Sequence, residues 1–376
     1  GDIVVGAKAM GLTEVRLAAE LRANHLQAEA RLMGAAAGKA TATLNAEVER
    51  GPNGWALAAQ RPLAATADVD MPSIAWVNSL LSQAVRGNVR IGGALTGTLR
   101  IDGTPADPQA QGRFTGAGLR VAWIDQGIRL QDGQLEARID GNTIVLDTLR
   151  FDGTPLVTPA DRRPAQALAR EQPAEPGFLA LNGELKLRDL SGVLQVKAVR
   201  MPVLQRPDRW VVASGGANIV FDQTRVQLNG AAVADAGFID FSKPDLPSLS
   251  SDVQVIRASE PAVASRDAPI GINLDLGIDL GEAFYLRGAG LDTRVEGQLR
   301  LRAQGRGAIR ATGTIEARDG VYEGFGQRLA IERGRVNFQR ALDNPRLDEL
   351  ALRRGLPVDV GVTVTRTAAN PLIRLY

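Results

Sequence analysis

The chain has 376 residues, no cysteine, one histidine, 44 Lys+Arg against 42 Asp+Glu, 41 glycines and 4% aromatics. Without cysteine there is no disulfide, thiolate nucleophile or zinc–thiolate site, and a single histidine, His25, leaves the common catalytic triads and metal clusters nearly without members. The two signs of charge are balanced and interspersed, so the concentrated basic face that nucleic acid requires is missing, and no run reaches the roughly 18 apolar residues of a membrane helix.

The sequence opens in mid-pattern at "GDIVVGAKAM" and stops at "NPLIRLY", and it reads as a piece of a longer protein. Around Val15, Leu17, Ala19 and Leu21 the alanine content favours helix and the alternation favours strand; we read strand. "PSIAWVNSLLSQAVRG" predicts one short amphipathic helix over 73–86, capped by Ser73 and stopped at Gly87, with Ile74, Val77, Leu81, Ala84 and Val85 on one face. It lacks the Lys/Arg-rich polar face of a membrane-surface helix, so it is expected to cover part of a sheet.

Beyond it, Val89, Ile91, Leu95, Leu99 and Ile101 form an alternating apolar line, with Gly93 and Gly97 in the gaps. Asp-Gly pairs at 102–103, 132–133, 152–153 and 319–320 read as turns between strands. The stretch 158–177 is rich in proline and charge and reads as a mobile insertion separating 1–157 from 178–376. "IGINLDLGIDL" then places Ile270, Ile272, Leu274, Leu276, Ile278 and Leu280 on one strand face and only Gly, Asn or Asp on the other. Further lines run through Leu291, Val295, Leu299 and Leu301, through Leu329, Ile331, Val336 and Phe338, and through Leu356, Val358, Val360, Val362 and Val364. Sliding segment 112–137 by 201 residues lays it on 313–338 without a gap, which suggests one hairpin-sized unit used twice. A strand roughly every 12 residues would give about 30 strands.

Carboxylate pairs are the only chemical candidates. Asp275 and Asp279 share a strand face with Asn273, a set that suits calcium or acid–base work, as in an enzyme on a parallel β-helix; a solvated outer face is the simpler reading. The glycine-rich "GRGAIRATG" lacks a Walker lysine and the strand–loop–helix setting of a phosphate cradle. No cofactor and no metal are expected.

The alternation itself is the specific feature. Burying one Leu or Ile is worth roughly 1.5–3 kcal/mol, so six along 270–280 cannot be left to water. A second sheet, a bilayer, or bound lipid or another apolar chain could cover them. The bilayer option wants aromatic girdles, and the chain has few aromatics.

The final hundred residues carry a resemblance. Gly320, Tyr322, Gly326 and Gln327 in "DGVYEGFGQ", Gly334 and Phe338 in "GRVNF", Asn344, Pro345, Leu347 and Asp348 in "NPRLD", and Asn370-Pro371 follow the order and spacing of the C-terminal domain of the TamB family, the translocation and assembly module subunits. "NVRIGGALTGTLRIDGTPADPQAQGRF" is similar to the family's repeating pattern more loosely. The family's amino-terminal signal anchor and the segment after its last Asn-Pro strand have no counterpart here, and 158–177 looks like a lineage-specific insertion.

The resemblance implies an all-β fold, a long curved sheet folded into an apolar trough (a β-taco), with N-terminal repeats over 1–157 and the family's C-terminal domain over 178–376. It implies a non-enzymatic periplasmic conduit in a protein anchored in the inner membrane and reaching the outer one, moving phospholipid between the two, related to AsmA-like bridge-like lipid transfer proteins. The implied partners are phospholipid acyl chains, a TamA-like outer-membrane barrel of the Omp85 family, and nascent outer-membrane proteins; a chaperone-like scaffold for those proteins is the second reading. The groove-lining residues would then be Val89, Ile91, Leu95, Leu99, Ile101, Ile270, Ile272, Leu274, Leu276, Ile278, Leu280, Leu329, Ile331, Val336, Phe338, Val358, Val360, Val362 and Val364.

Overall fold

The computed structural model describes residues 4–5, 8–9, 12–35, 38–51, 54–79, 81, 88–170, 176–242, 271–305, 307–324, 326–339, 342, 344–353 and 360–375. The chain is all-β and divides into two compact units, 1–154 with 175–203, and 155–174 with 204–376. The units are interleaved in sequence, so the boundary does not fall on either side of the insertion alone.

Unit 1 begins with a short pair, β1 (Val4–Val5) and β2 (Lys8–Ala9). Its main sheet is built from β3 (Leu12–Arg22), β4 (His25–Gly34), β5 (Gly38–Gly51), β7 (Leu63–Met71), β8 (Val89–Thr104), β9 (Asp107–Trp123), β10 (Ile128–Asp140), β11 (Thr143–Asp152), β12 (Phe178–Lys186) and β13 (Ser191–Gln205). The short β6 (Gly54–Leu57) folds back on the end of β5. Each main strand is antiparallel to the next. The ambiguous alanine-rich stretch is strand β3: alternation outweighs helix propensity once the residue faces are shared with β4.

Unit 2 holds helix α1 (Arg163–Arg170) and β14 (Arg209–Phe221), β15 (Arg225–Asp240), β16 (Gly271–Asp279), β17 (Phe284–Gly288), β18 (Leu291–Ala303), β19 (Arg310–Gly324), β20 (Gln327–Phe338), β21 (Arg346–Arg353), β22 (Val360–Thr367) and β23 (Asn370–Leu375). β16 and β17 lie end to end and pair parallel with β15; the other pairings among the described residues of the unit are antiparallel. Its core is the cluster Ala234, Leu280, Phe284 and Val295, against which Val211, Ile278 and Ile315 pack. Gly237 lies opposite Phe284, and a Cβ there would stand 2.3 Å from the ring, so only glycine admits the aromatic.

Four expectations are corrected. The 73–86 helix is, among the described residues, a 3₁₀ turn over Ala75–Ser79; residues 80 and 82–87 lie outside them. Ser73 does accept the Ala75 N–H (3.3 Å), but Asn78 then turns to β8, accepting the Ile91 N–H (2.7 Å) and donating to its carbonyl (2.8 Å), so a side chain takes the place of a neighbouring strand. The insertion 158–177 is not simply a loop, because it contains α1.

The pairs Asp132-Gly133 and Asp319-Gly320 are not turns. They lie inside β10 and β19 as bulges, with Asp132 and Asp319 at φ 51° and 53°. Finally, strands of 13–17 residues such as β8, β9 and β18 bring the number to 23 among the described residues, fewer than the expected 30.

The sequence repeat has partial structural support. The 201-residue offset places β9 on β19 and sets Gly118 (φ 55°) on Asp319 (φ 53°). The hairpin registers differ by two residues, since Val121 faces Leu130 whereas Tyr322 faces Leu329.

Candidate functional site: two apolar grooves

Opposed residues of neighbouring strands share a face, so register decides whether separate apolar lines become one surface. In unit 1 they do. Leu17 faces Ala30, Ala30 faces Ala42, Ala42 faces Ala67, and Ala67 faces Leu99. One step along, Ala19, Ala28, Leu44, Ala65 and Ile101 form a second row. The reverse face carries Arg16, Arg31, Thr41, Asp68 and Thr98 in the same way. The apolar rows enclose an open groove of about 530 Å³.

A second groove, of about 290 Å³, lies in unit 2. Its lining passes from Leu286 through Val295, Ile315 and Val336 to Val364 and Ile373. Two bulges keep it continuous. At Asp319 the inward parity of β19 changes from odd (Ile315, Ala317) to even (Tyr322), and at 331–333 that of β20 changes from Ile331 to Gly334 and Val336. Without those extra residues, half of each strand would present its polar side to the groove.

The sequence-predicted lining residues fall into five groups. Leu99 and Ile101 line the first groove, and Ile331, Val336, Phe338, Val362 and Val364 line the second. Val89, Ile91, Leu95, Leu274, Leu276 and Ile278 are half-buried on their strands, the last three in register with Leu228, Gly230 and Ala232 on one side and Ala303, Leu301 and Leu299 on the other. Leu280 and Leu329 are buried, 8% and 5% exposed, and Leu280 belongs to the packed core. Ile272 and Val360 are exposed. Ile270 and Val358 lie outside the described residues.

Sequence reading misses the alanines of unit 1, because Ala carries little hydrophobic signal; only the register, which stacks Ala28, Ala30, Ala42 and Ala67, reveals them. It also misses Tyr322 and Glu349, two polar-tipped residues on the second lining.

The polar faces carry exposed ion pairs. Arg300 bonds Asp275, and on β18–β21 Arg318 pairs with Glu296 (3.0 Å), Arg335 with Glu316 (3.0 Å) and Arg333 with Asp348 (3.3 Å). Asp279, the other candidate acid, accepts from Gln298 (2.8 Å) and from the Gly281 N–H (2.8 Å). Neither carboxylate faces a groove. Among the described residues no three His, Cys, Asp or Glu side chains are grouped to hold a metal ion, and no helix is long and apolar enough to cross a membrane.

The outer face of β14–β15 is different, because α1 covers it. Trp210, Val212 and Ala236 are almost fully buried against Ala165 and Leu168. The helix is fastened by a ring of four charges. Asp161, 5% exposed, accepts from Arg163 (2.6 Å) and Arg287 (3.0 Å); both guanidiniums also bind Asp292, that of Arg287 at 3.1 Å. Burial works to raise the Asp161 pKa, but the hydrogen bonds from Arg163, helped by the Arg287 charge, hold it below the ordinary carboxylate range.

Comparison with known proteins agrees with this architecture. A family model described as the TamB C-terminal domain matches residues 167–376. The translocation and assembly module subunit TamB of Haemophilus influenzae is 23% identical over 348 residues, covering 85% of this chain and 24% of the relative. The chain therefore spans about a quarter of the length of that curated relative. With more than half its length matched by the family model, including all of β19–β23, the chain belongs to the TamB family.

Proposed function

We propose that this chain is a segment of a non-enzymatic, periplasm-spanning conduit that moves phospholipid between the inner and outer membranes in support of outer-membrane biogenesis. The observation that carries the reading is the pair of register-matched apolar grooves, of about 530 and 290 Å³. Their sizes are close to or within the roughly 300–1,000 Å³ of small-ligand sites. An apolar wall holds an acyl chain without fixing its position along the groove, because hydrophobic burial has no directional component. That suits passage rather than storage. Membership of a family whose curated relative is named a translocation and assembly module subunit supports work at the envelope. In this reading a TamA-like barrel of the Omp85 family is the receiving partner, and an inner-membrane anchor belongs to the whole protein.

The test is photo-crosslinking in cells carrying the full-length protein, with the probe at Val336 and, as control, at Arg335. These neighbours point to opposite faces of β20. Lipid adducts at 336 and none at 335 are expected. Adducts to newly made outer-membrane proteins would replace the conduit with the chaperone-like scaffold. The absence of any adduct at 336 would overturn the open-groove reading.

A further inference from the structure

The second groove is apolar along most of its length and broken by one charge. Glu349 sits on β21 between Leu347 and Ala351 on the lining face, opposite Gly334 of β20 and Val364 of β22. Among the described residues its carboxylate has no ion-pair or hydrogen-bond partner, and burial alone pushes its pKa above the ordinary range. The charges flanking Gly334 point elsewhere. Arg333 and Arg335 flank Gly334 on β20 but pair with Asp348 and Glu316 on the outer face. Thr363 and Thr365 flank Val364, and Arg366 stands opposite Leu347, exposed to solvent. From β18 and β19 the polar groups on the lining are the Thr293 hydroxyl, already donated to the Arg294 carbonyl (3.0 Å), and the Tyr322 phenol.

A carboxylate half-buried on an apolar wall without a partner costs free energy, and a Leu or Val would both continue the strand pattern and pack better. Such a group is explained by what visits it. The missing element is a single positive charge attached to something apolar enough to lie along Ile331, Val336 and Val364.

We propose that Glu349 is the headgroup-reading residue of this groove, taking the ammonium of an amine-headed phospholipid whose acyl chains lie on the apolar wall. This rests on the acyl-groove reading above and adds a preference to it. An ammonium satisfies the carboxylate by a charge-assisted hydrogen bond, whereas a purely anionic headgroup meets like charge. Gly334 opposite puts no side chain of its own beside Glu349; a Cβ there would stand 2.7 Å from that of Ala317.

The experiment loads the purified chain from vesicles of phosphatidylethanolamine or phosphatidylglycerol with identical acyl chains and counts bound lipid by native mass spectrometry. The wild type is expected to favour the amine-headed lipid by about tenfold, the size of one net charge-assisted bond. Glu349→Gln, nearly isosteric, and Glu349→Leu, which suits the strand, should both fold and load lipid while bringing the two lipids to within about twofold. A tenfold preference that survives in both variants, or no preference in the wild type while both lipids load, overturns the assignment and leaves the acyl groove standing. Loading of neither lipid by the wild type overturns both.

Discussion

The Arg300 guanidinium holds the Asp275 carboxylate by two hydrogen bonds, 2.6 and 2.8 Å, on the face of the sheet opposite Leu276 and Leu301. Those bonds, with the charge of Arg302 behind them, keep the carboxyl below its usual range. An acid engaged in this way is neither a free calcium ligand nor a proton donor near neutral pH. Asp275→Asn is therefore expected to leave function intact and to move thermal unfolding little, as exposed pairs generally do. Because the folded-state pKa is the lower one, whatever this pair contributes is present above the unfolded pKa and is lost as pH falls through the folded value. A calcium titration that released heat in the wild type and not in the variant would contradict this.

The Asp161 ring joins α1 to β17 and β18 through a nearly buried carboxylate. Asp161→Asn leaves two guanidiniums sharing one carboxylate and is expected to cost about 1–3 kcal/mol. Hydrogen exchange should show the loss first in 160–170, with Trp210 fluorescence shifting as the helix lifts from β14. The sign with pH follows from the lowered pKa of Asp161: the wild type gains from the ring above the unfolded carboxylate pKa and loses that gain as pH falls through the folded one. The variant should lack this part of the acid dependence. Unchanged protection across α1 would show that Trp210 and Leu168 packing suffices.

Core and groove should separate under mutation. Leu280 is sealed among Ala234, Phe284 and Val295, and Leu280→Ala is expected to cost about 2–5 kcal/mol in thermal or denaturant unfolding. Val364 lines the open groove, so Val364→Arg should retain the strand signal in circular dichroism yet block lipid passage in cells. If Val364→Arg unfolds the chain as readily as Leu280→Ala, the groove is core.

The alanine rows of unit 1 make a volume test. Ala42 lies between Ala30 and Ala67 on the lining, and Ala42→Phe adds a ring where the groove is open rather than packed. Binding of a fluorescent fatty acid should fall several-fold, with the unfolding midpoint nearly unchanged. Overpacking a closed core would instead cost about 1–3 kcal/mol. A large loss of stability would therefore mean that the alanines are in contact with protein.

Much of the sheet is legible in the sequence because a strand with one wet face must alternate, as 271–279 and 360–364 do. The failures have equally physical causes. Around Trp210–Val212 and Ala236–Phe238 the alternation lapses because α1 buries the outer face as well as the inner one. The helix itself hides in a segment whose prolines and charges resemble a loop; Pro164 sits in its first turn, where a missing N–H costs nothing. Asp-Gly marks a positive φ in a turn and in a bulge alike, so Asp319-Gly320 cannot be told from a hairpin without the partner strand. The lining of the second groove is partly legible at Ile331, Val336 and Val364, while Glu349 breaks the very pattern by which such positions are found.

The parallel step at β15 also bears on how the molecule comes together. Hairpins such as β18–β19 and β21–β22 join near neighbours in sequence and can zip as soon as both arms exist. Arg225 and Gly271 have no such advantage: their strands run the same way and lie far apart in sequence. The β15–β16 seam is therefore expected to close late in folding. Until it does, Leu228 and Leu276 leave two unpaired apolar edges, the stage at which a newly made chain is most exposed to aggregation.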